Sequence, residues 1–292
     1  MSISEHNLTI IIVTIKSDKI IDQCIKSINK KDIPIIVVEN SDDIKFKSSI
    51  EARYKNVKCI LSNKNLGMGS GNNIGIKAAN TDYVFIINPD VVLESDTINE
   101  LMLASKTLSD FSILSPISSN SDILNYGFFK GKKTINEKEK PFEVNWVDGC
   151  TMLLNKKKLK ESVYFDENFF MYLENDDLCK RVKGIGGSIY VIPKSKIIHL
   201  AAKAVNEKFR DEVEFSRNWH WVWSKFYFTK KHFSFFRAFA KGLPSYLSSI
   251  LKFLFYFLIQ NQNKKKIYFN RASGFYNACL GKSSWYRPNL NS

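Results

Sequence analysis

The chain has 292 residues, 44% of them hydrophobic, and a formal net charge of +14. That length suits one large domain with an appendage, and the apolar content excludes a disordered chain. The charge is unevenly placed: residues 215–292 hold thirteen Lys or Arg and no Asp or Glu, whereas residues 1–214 carry 30 basic and 29 acidic groups. This asymmetry predicts an anionic partner for the tail. The polar first seven residues predict no signal peptide. Five scattered cysteines, Cys24, Cys59, Cys150, Cys179 and Cys279, lack metal-like spacing and predict reduced thiols in the cytoplasm.

Residues 8–15 read as an apolar strand. Asp18 is placed to cap the next helix, whose apolar positions Ile20, Ile21, Cys24, Ile25 and Ile28 recur at helical spacing. A second strand over 33–38 ends in Glu39-Asn40. A weaker helix fits 44–54 and a third strand 57–61. Residues 63–73 read as a glycine-rich turn into a helix over 74–79. Residues 83–87 form a fourth, fully apolar strand. Pro89 lacks a backbone donor and ends its ladder, so Asp90 lies just beyond the strand's carboxyl end. In open α/β sheets ligands bind at that rim. A carboxylate there suits a divalent cation, and the cation suits a diphosphate. A helix over 96–108, capped by Ser95 or Asp96, completes an alternation that predicts a parallel sheet covered on both faces.

Beyond Pro116 the pattern changes. Residues 117–145 read as polar loop, Lys/Glu-rich at 130–140, and 147–154 as a strand preceded by the turn pair Asp148-Gly149. An aromatic segment over 165–173 leads into a helix over 173–182. That helix opens with Glu174-Asn175-Asp176-Asp177, and acidic groups favour a helix amino terminus. The cluster supplies a general base if this helix points at the cleft of Asp90. Strands over 188–192 and 197–200 close the core, and His199 at the second is a candidate cation ligand. The tail begins near residue 215, giving two expected domains, 1–214 and 215–292. Its apolar run over 245–259 is shorter than the ~20 residues a spanning helix needs. Beside Lys264-Lys265-Lys266 it fits an interfacial helix. Nucleic-acid binding by the tail is disfavoured, because the charge lies beside this apolar helix.

Three familiar sites are excluded. Gly67-x-Gly69-x-Gly71 follows the third strand and lacks dinucleotide-fingerprint spacing, so no nicotinamide or flavin site is expected. Gly281-Lys282-Ser283 has Tyr276 where a P-loop has its first glycine. No Gly-x-Ser-x-Gly nucleophile elbow is present.

The order of motifs resembles family 2 glycosyltransferases, nearest to bacterial enzymes of the rhamnosyltransferase type that build O-antigen and cell-wall polysaccharides. The matching pieces run from Ile11-Ile12-Val13-Thr14 and Ile36-Val37-Val38-Glu39-Asn40 through Asn65-Leu66-Gly67 with Gly71-Asn72-Asn73 to Asn88-Pro89-Asp90. Trp146-Val147-Asp148-Gly149, the segment from Phe169 to Cys179, and His199 follow. The resemblance implies a GT-A fold and inverting transfer from a nucleotide-diphosphate sugar. It implies that Thr14, Glu39 and Asn72 line the nucleoside pocket, with Asn40, Asn65, Gly67 and Asn88 also on the donor side. Asp90 would hold Mg²⁺ or Mn²⁺, with His199 as a second ligand, and Asp148-Gly149 would face the donor sugar or acceptor. The base would come from Glu174, Asp176 or Asp177, with Glu174 and Asp177 favoured. The chain departs from the family pattern at Ile15, Lys16, Glu39, Asn88 and Asn175. The expected acceptor is a lipid-diphosphate-linked saccharide, with dTDP-rhamnose as the first donor guess. The tail would sit on the anionic inner face of the cell membrane. The competing readings are a nucleotidyltransferase and a nucleotide-sugar-binding membrane module without turnover.

Overall fold

β-Branched runs build the sheet, and alternation along them decides its two faces. A computed structural model describes residues 3–15, 17, 20–120, 124–128, 139–159, 164–200 and 207–290. Lys16, Asp18, Lys19 and residues 130–138 of the Lys/Glu-rich stretch lie outside the described residues. The elements of the first unit are β1 (Leu8–Thr14), α1 (Ile21–Ile28), β2 (Ile35–Glu39), α2 (Ile44–Arg53), β3 (Val57–Leu61), α3 (Met68–Ala78), β4 (Tyr83–Ile87), β5 (Val91–Leu93), α4 (Thr97–Thr107) and β6 (Phe111–Ser118). They continue as β7 (Tyr126–Gly127), β8 (Phe142–Glu143), β9 (Trp146–Val147), β10 (Thr151–Asn155), α5 (Lys156–Leu159), α6 (Glu174–Gly184) and β11 (Ser188–His199).

The main sheet runs β3-β2-β1-β4-β10-β6-β11-β5, with β8 also on β11. β1 to β4 are parallel, as the alternation predicts. β10 then enters antiparallel between β4 and β6, and β6 and β11 are parallel again. Along β1, Leu8, Ile10 and Ile12 pack with the apolar faces of α1 and α4, while Ile11 joins α3 and α6 on the opposite face. That is the period-two consequence of a pleated strand buried on both sides.

Four expectations change. The glycine-rich stretch is helix, not turn: α3 starts at Met68, after Gly67 at φ 86°. Its glycines serve close packing. A Cβ on Gly71 would lie 2.7 Å from Val13, and one on Gly75 would lie 2.5 Å from Ile11. The stretch read as polar loop begins with the end of β6 and contains β7 and β8. The strand expected over 147–154 is broken at Asp148-Gly149-Cys150 into β9 and β10. The two closing strands are one, β11, with an irregularity between Ile192 and Lys196.

The chain divides into two compact units: Met1–Asp166 with Asn175–Val205, and Glu167–Glu174 with Asn206–Ser292. The second contains α7 (Arg210–His232), α8 (Phe235–Leu258) and α9 (Gln262–Cys279). The boundary expected from charge, between 214 and 215, falls inside α7. The tryptophans that alternate in sequence separate on the helix. Trp219 and Trp223, one turn apart, are buried and stacked 6.3 Å apart, and Trp221 is exposed. The aromatic segment before α6 belongs to this unit. Phe169 meets Tyr227 edge-on at 4.9 Å, Phe170 lies 4.5 Å from the His220 ring, and Ser224 donates to the Met171 carbonyl at 2.7 Å. No helix among the described residues is long and apolar enough to cross a membrane.

Candidate active site

The carboxyl rim of the parallel strands gathers buried polar groups that the protein itself leaves partly unused. β1 ends at Thr14 beside Glu39 of β2, and the Asn40 N–H donates to the Thr14 carbonyl at 2.7 Å. Thr14, Glu39 and Asn72 are all nearly inaccessible. Thr14 Oγ1 and both polar atoms of the Asn72 amide are buried without a hydrogen bond. Leaving such atoms dry and unpaired costs about 1–3 kcal/mol each, so they are candidates for partners supplied from outside the chain. Ser41 donates to the Glu39 carboxylate at 2.7 Å.

Asn40 and Asn65 do different work from that expected. The Asn40 amide donates to the Gly67 carbonyl at 2.9 Å and accepts from Ser62 Oγ and the Leu66 N–H. It therefore anchors the loop that starts α3. Asn65 accepts from the Gly67 N–H at 3.2 Å, closing an Asx turn there.

Asp90 is buried just past β4, as Pro89 predicts. The next strand, β5, pairs with β11 so that Val91 faces His199. This pairing brings His199 Nε2 to 3.4 Å from Asp90 Oδ1. The Asp90 carboxylate holds the imidazole pKa above its usual value, against the opposing effect of burial. Apart from this long contact with His199, Asp90 Oδ1 is a buried oxygen with no hydrogen-bond partner. Among the described residues no group of three or more His, Cys, Asp or Glu is placed to hold a metal. Asp90 and His199 supply only two candidate ligands, so a cation held there would take the rest from outside the chain.

The broken strand brings the second carboxylate. The Asn88 N–H donates to the Cys150 carbonyl at 2.9 Å, joining the end of β4 to the start of β10. Asp148 accepts from the Cys150 N–H at 3.0 Å, and its charge acts on both His199 and Asp176. Gly149 is closely packed: a Cβ would lie 2.7 Å from the movable end of Met68 and 3.2 Å from Asn175 Cβ. The Asn175 amide donates to the Val147 carbonyl at 2.9 Å and pins the start of α6 to this turn. Burial first, and then Asp148, raise the Asp176 pKa. Residues 90, 148, 176 and 199 therefore share one cluster in the first unit.

The acidic run divides into three roles. Asp177 is fully buried and paired with Arg181 at 2.7 Å one turn on, while Arg181 also donates to the Tyr164 carbonyl. Asp177 is therefore committed to an ion pair. Glu174 is buried and belongs to the second unit. It follows Tyr172 and Leu173, both left-handed at φ 71° and 67°. That conformation costs about 1–2 kcal/mol per residue without glycine, and such strain gathers at functional sites. Two residues escape the sequence reading. Asn73 is bonded both ways to the Phe165 backbone, and Arg181 fixes Asp177. Arg181 lies four residues after Asp177, a spacing visible in the sequence. The cysteines are spectators: burial pushes the Cys179 thiol up to about 12 and raises those of Cys24 and Cys150 well above their usual value.

Comparison with known proteins agrees with this geometry. Residues 9–163, more than half the chain, match the family described as glycosyl transferase family 2. The chain is 28% identical over 223 residues to the rhamnosyltransferase WbbL of Escherichia coli, covering 66% of this chain and 83% of that protein. It is 22% identical over 206 residues to the N-acetylglucosaminyl-diphospho-decaprenol L-rhamnosyltransferase of Mycobacterium tuberculosis, covering 58% and 67%. Among solved structures, S. aureus TarS 1-349 in complex with UDP-GlcNAc aligns with a TM-score of 0.53 at 16% identity, over 96% of this chain and 93% of that one. The mostly parallel, helix-covered sheet is thus a GT-A-like fold, and the chain belongs to glycosyl transferase family 2 and is a glycosyltransferase.

Proposed function

We propose that the protein transfers a sugar, with inversion, from a nucleotide-diphosphate donor to a lipid-diphosphate-linked saccharide during polysaccharide assembly. The observation that carries this reading is the cluster at the sheet's rim. Unpaired buried atoms of Thr14 at the end of β1 and of Asn72 in α3, with Asp90 just past β4, line this rim, and a carboxylate with a raised pKa, Asp176, is coupled to Asp90 and His199 through Asp148. Thr14, Glu39 and Asn72 hold the nucleoside. Asp90 and His199 would hold Mg²⁺ or Mn²⁺, and that cation would offset the charge growing on the leaving diphosphate. Asp148-Gly149 borders the sugar. Asp176 takes the proton from the acceptor hydroxyl as that oxygen attacks the anomeric carbon from the face opposite the diphosphate. Asp176 is preferred to Asp177, whose carboxylate is occupied by Arg181. Glu174 remains the neighbouring alternative. The sugar is taken as rhamnose because two relatives are named rhamnosyltransferases, and dTDP as its carrier follows the family resemblance alone.

The second unit fits an anionic membrane surface. α8 exposes Phe236, Leu247, Leu251, Leu254, Phe255 and Leu258. At its end Lys252, Lys264 and Lys265 lie over the Tyr268, Tyr256 and Phe257 rings. Apolar and cationic groups side by side suit the boundary between headgroups and acyl chains. A panel of nucleotide-sugars tested for thermal stabilisation identifies the donor. Release of nucleoside diphosphate that depends on added lipid acceptor then tests the transfer. Asp90→Ala is expected to abolish that release, and full turnover in the variant would remove Asp90 from the mechanism.

A further inference from the structure

The second unit contains a cavity of about 480 Å³ that the donor site does not account for. It lies among α7, α8, α9 and the residue just before α6. Phe226, Phe228 and Phe275 give it apolar walls, Leu173 closes one side, and Lys225 and Lys241 bring cations to it. Its volume is in the range of about 300–1,000 Å³ typical of small-molecule sites. Gly242 keeps α8 close to α9, because a Cβ there would lie 2.2 Å from the Phe275 ring. Pro244, between the lining residues Gly242 and Ser245, offers no N–H to the helix ladder and opens it at this turn.

The charge is one-sided. Lys225 Nζ lies 4.9 Å from the Trp221 ring, and neither Lys225 nor Lys241 has an ion-pair partner among the described residues. Arg271 of α9 is near enough for its charge to act on Lys225, and Arg271 Nε is buried without a hydrogen-bond partner. Two lining cations with no paired carboxylate among the described residues, and a third cation close enough to act on Lys225, form a place for an anion of more than one charge. Phenyl walls beside that place suit a hydrocarbon chain attached to the anion.

We propose that this cavity binds the lipid end of the acceptor, taking its diphosphate at Lys225 and Lys241, with the Arg271 charge adding to theirs, and its first apolar units between Phe226, Phe228 and Phe275. Leu173 then touches the bound chain one residue before Glu174 and α6, so the acceptor is held by the segment that leads into the candidate bases. The exposed apolar face of α8 continues from the same helix toward its carboxyl end, where the rest of the lipid remains in the membrane.

The proposal rests on the glycosyl-transfer reading, and the test separates the two. Farnesyl diphosphate, kept below its micelle concentration, is titrated into the full chain and followed by tryptophan fluorescence. Pyrophosphate, farnesol and phosphatidylglycerol vesicles are titrated in parallel. Saturable binding of farnesyl diphosphate at least tenfold tighter than either fragment is expected. The Lys225→Glu/Lys241→Glu variant should weaken it at least tenfold, and Thr229→Phe, which fills the cavity, should weaken it similarly. Both variants should keep nucleotide-sugar stabilisation, which shows an intact fold and donor site. No saturable binding to the unaltered chain, or equal binding by the variants, overturns the cavity proposal and leaves donor binding untouched. Loss of vesicle binding in the variants with farnesyl diphosphate binding retained also overturns it, assigning the lysines to bulk lipid. Absence of nucleotide-sugar stabilisation in every form counts against the transfer reading instead.

Discussion

Acid should loosen the second unit, and His220 sets by how much. The ring is fully buried in α7. Its Nε2 lies 2.8 Å from the Tyr286 carbonyl, so the neutral ring carries its proton on Nε2 and donates it there. Nδ1 is buried with no hydrogen-bond partner. A second proton would create an N–H with nothing to accept it. Burial above all, helped by the nearby Arg287 charge and opposed by the Tyr286 carbonyl, lowers the pKa from 6.5 to about 4. The folded value lies below the unfolded one, so between them the unfolded chain binds more protons. Stability is therefore full above about pH 6.5 and falls as the pH drops toward about 4. A gap of about 2.5 pH units, at about 1.36 kcal/mol each, makes the full loss about 3.4 kcal/mol.

Urea unfolding followed by tryptophan fluorescence reports mainly on this unit, since four of the five tryptophans, Trp219, Trp221, Trp223 and Trp285, belong to it and only Trp146 to the first. Between pH 7 and 4.5 the unaltered protein should lose about 2.5 kcal/mol more than His220→Gln, which has no ring to titrate. Equal pH dependence of the two proteins would refute a neutral, buried His220. Because Phe170 lies against this ring, the same protonation should disturb the segment that leads into Glu174.

Further outcomes follow from the same geometry. Asp176→Asn should cut turnover by about 10²–10⁴ as a lost general base; near-normal turnover would return that role to Glu174. The raised folded pKa of Asp176 means that the folded state binds more protons above the usual carboxylate range, so its stability falls as pH rises through that window. The asparagine variant should therefore melt higher at pH 7, measured by thermal denaturation. Gly274→Ala would place a Cβ 2.4 Å from the Trp219 backbone carbonyl, whereas nothing lies within 4 Å of a Cβ on Gly184. The first should cost about 1–3 kcal/mol or more and the second should be neutral or mildly stabilising; similar urea midpoints would contradict the helix packing. Leu251→Glu/Leu254→Glu/Phe255→Glu should abolish flotation with phosphatidylglycerol vesicles, and unchanged flotation would count against the membrane face.

Much of the fold was legible because apolar strands announce themselves. β3 and β4 have the bounds that their residues predict, and Pro89 predicts where Asp90 emerges. The glycines before Asn72 misled, because glycine signals a turn locally while here it lets α3 lie close against Val13 and Ile11. β5 and β6 escaped notice, one being three residues long and the other carrying serines and a proline. The acidic run at 174–177 named its candidates and set Glu174 and Asp177 ahead of Asp176, an order that the structure does not support for Asp177. Ranking needed Arg181 beside Asp177 and Asp148 acting on Asp176.

The sequence by itself determined the parallel strand core, the carboxylate after β4 and the concentration of positive charge in the last helices, since each depends on near neighbours in the chain or on composition alone. Only the tertiary structure decided which carboxylate keeps its proton longer and which is locked in an ion pair. It alone also decided that the aromatic segment before α6 belongs with α7. Those outcomes depend on burial and on charges brought together from distant positions, and no local pattern of residues encodes them.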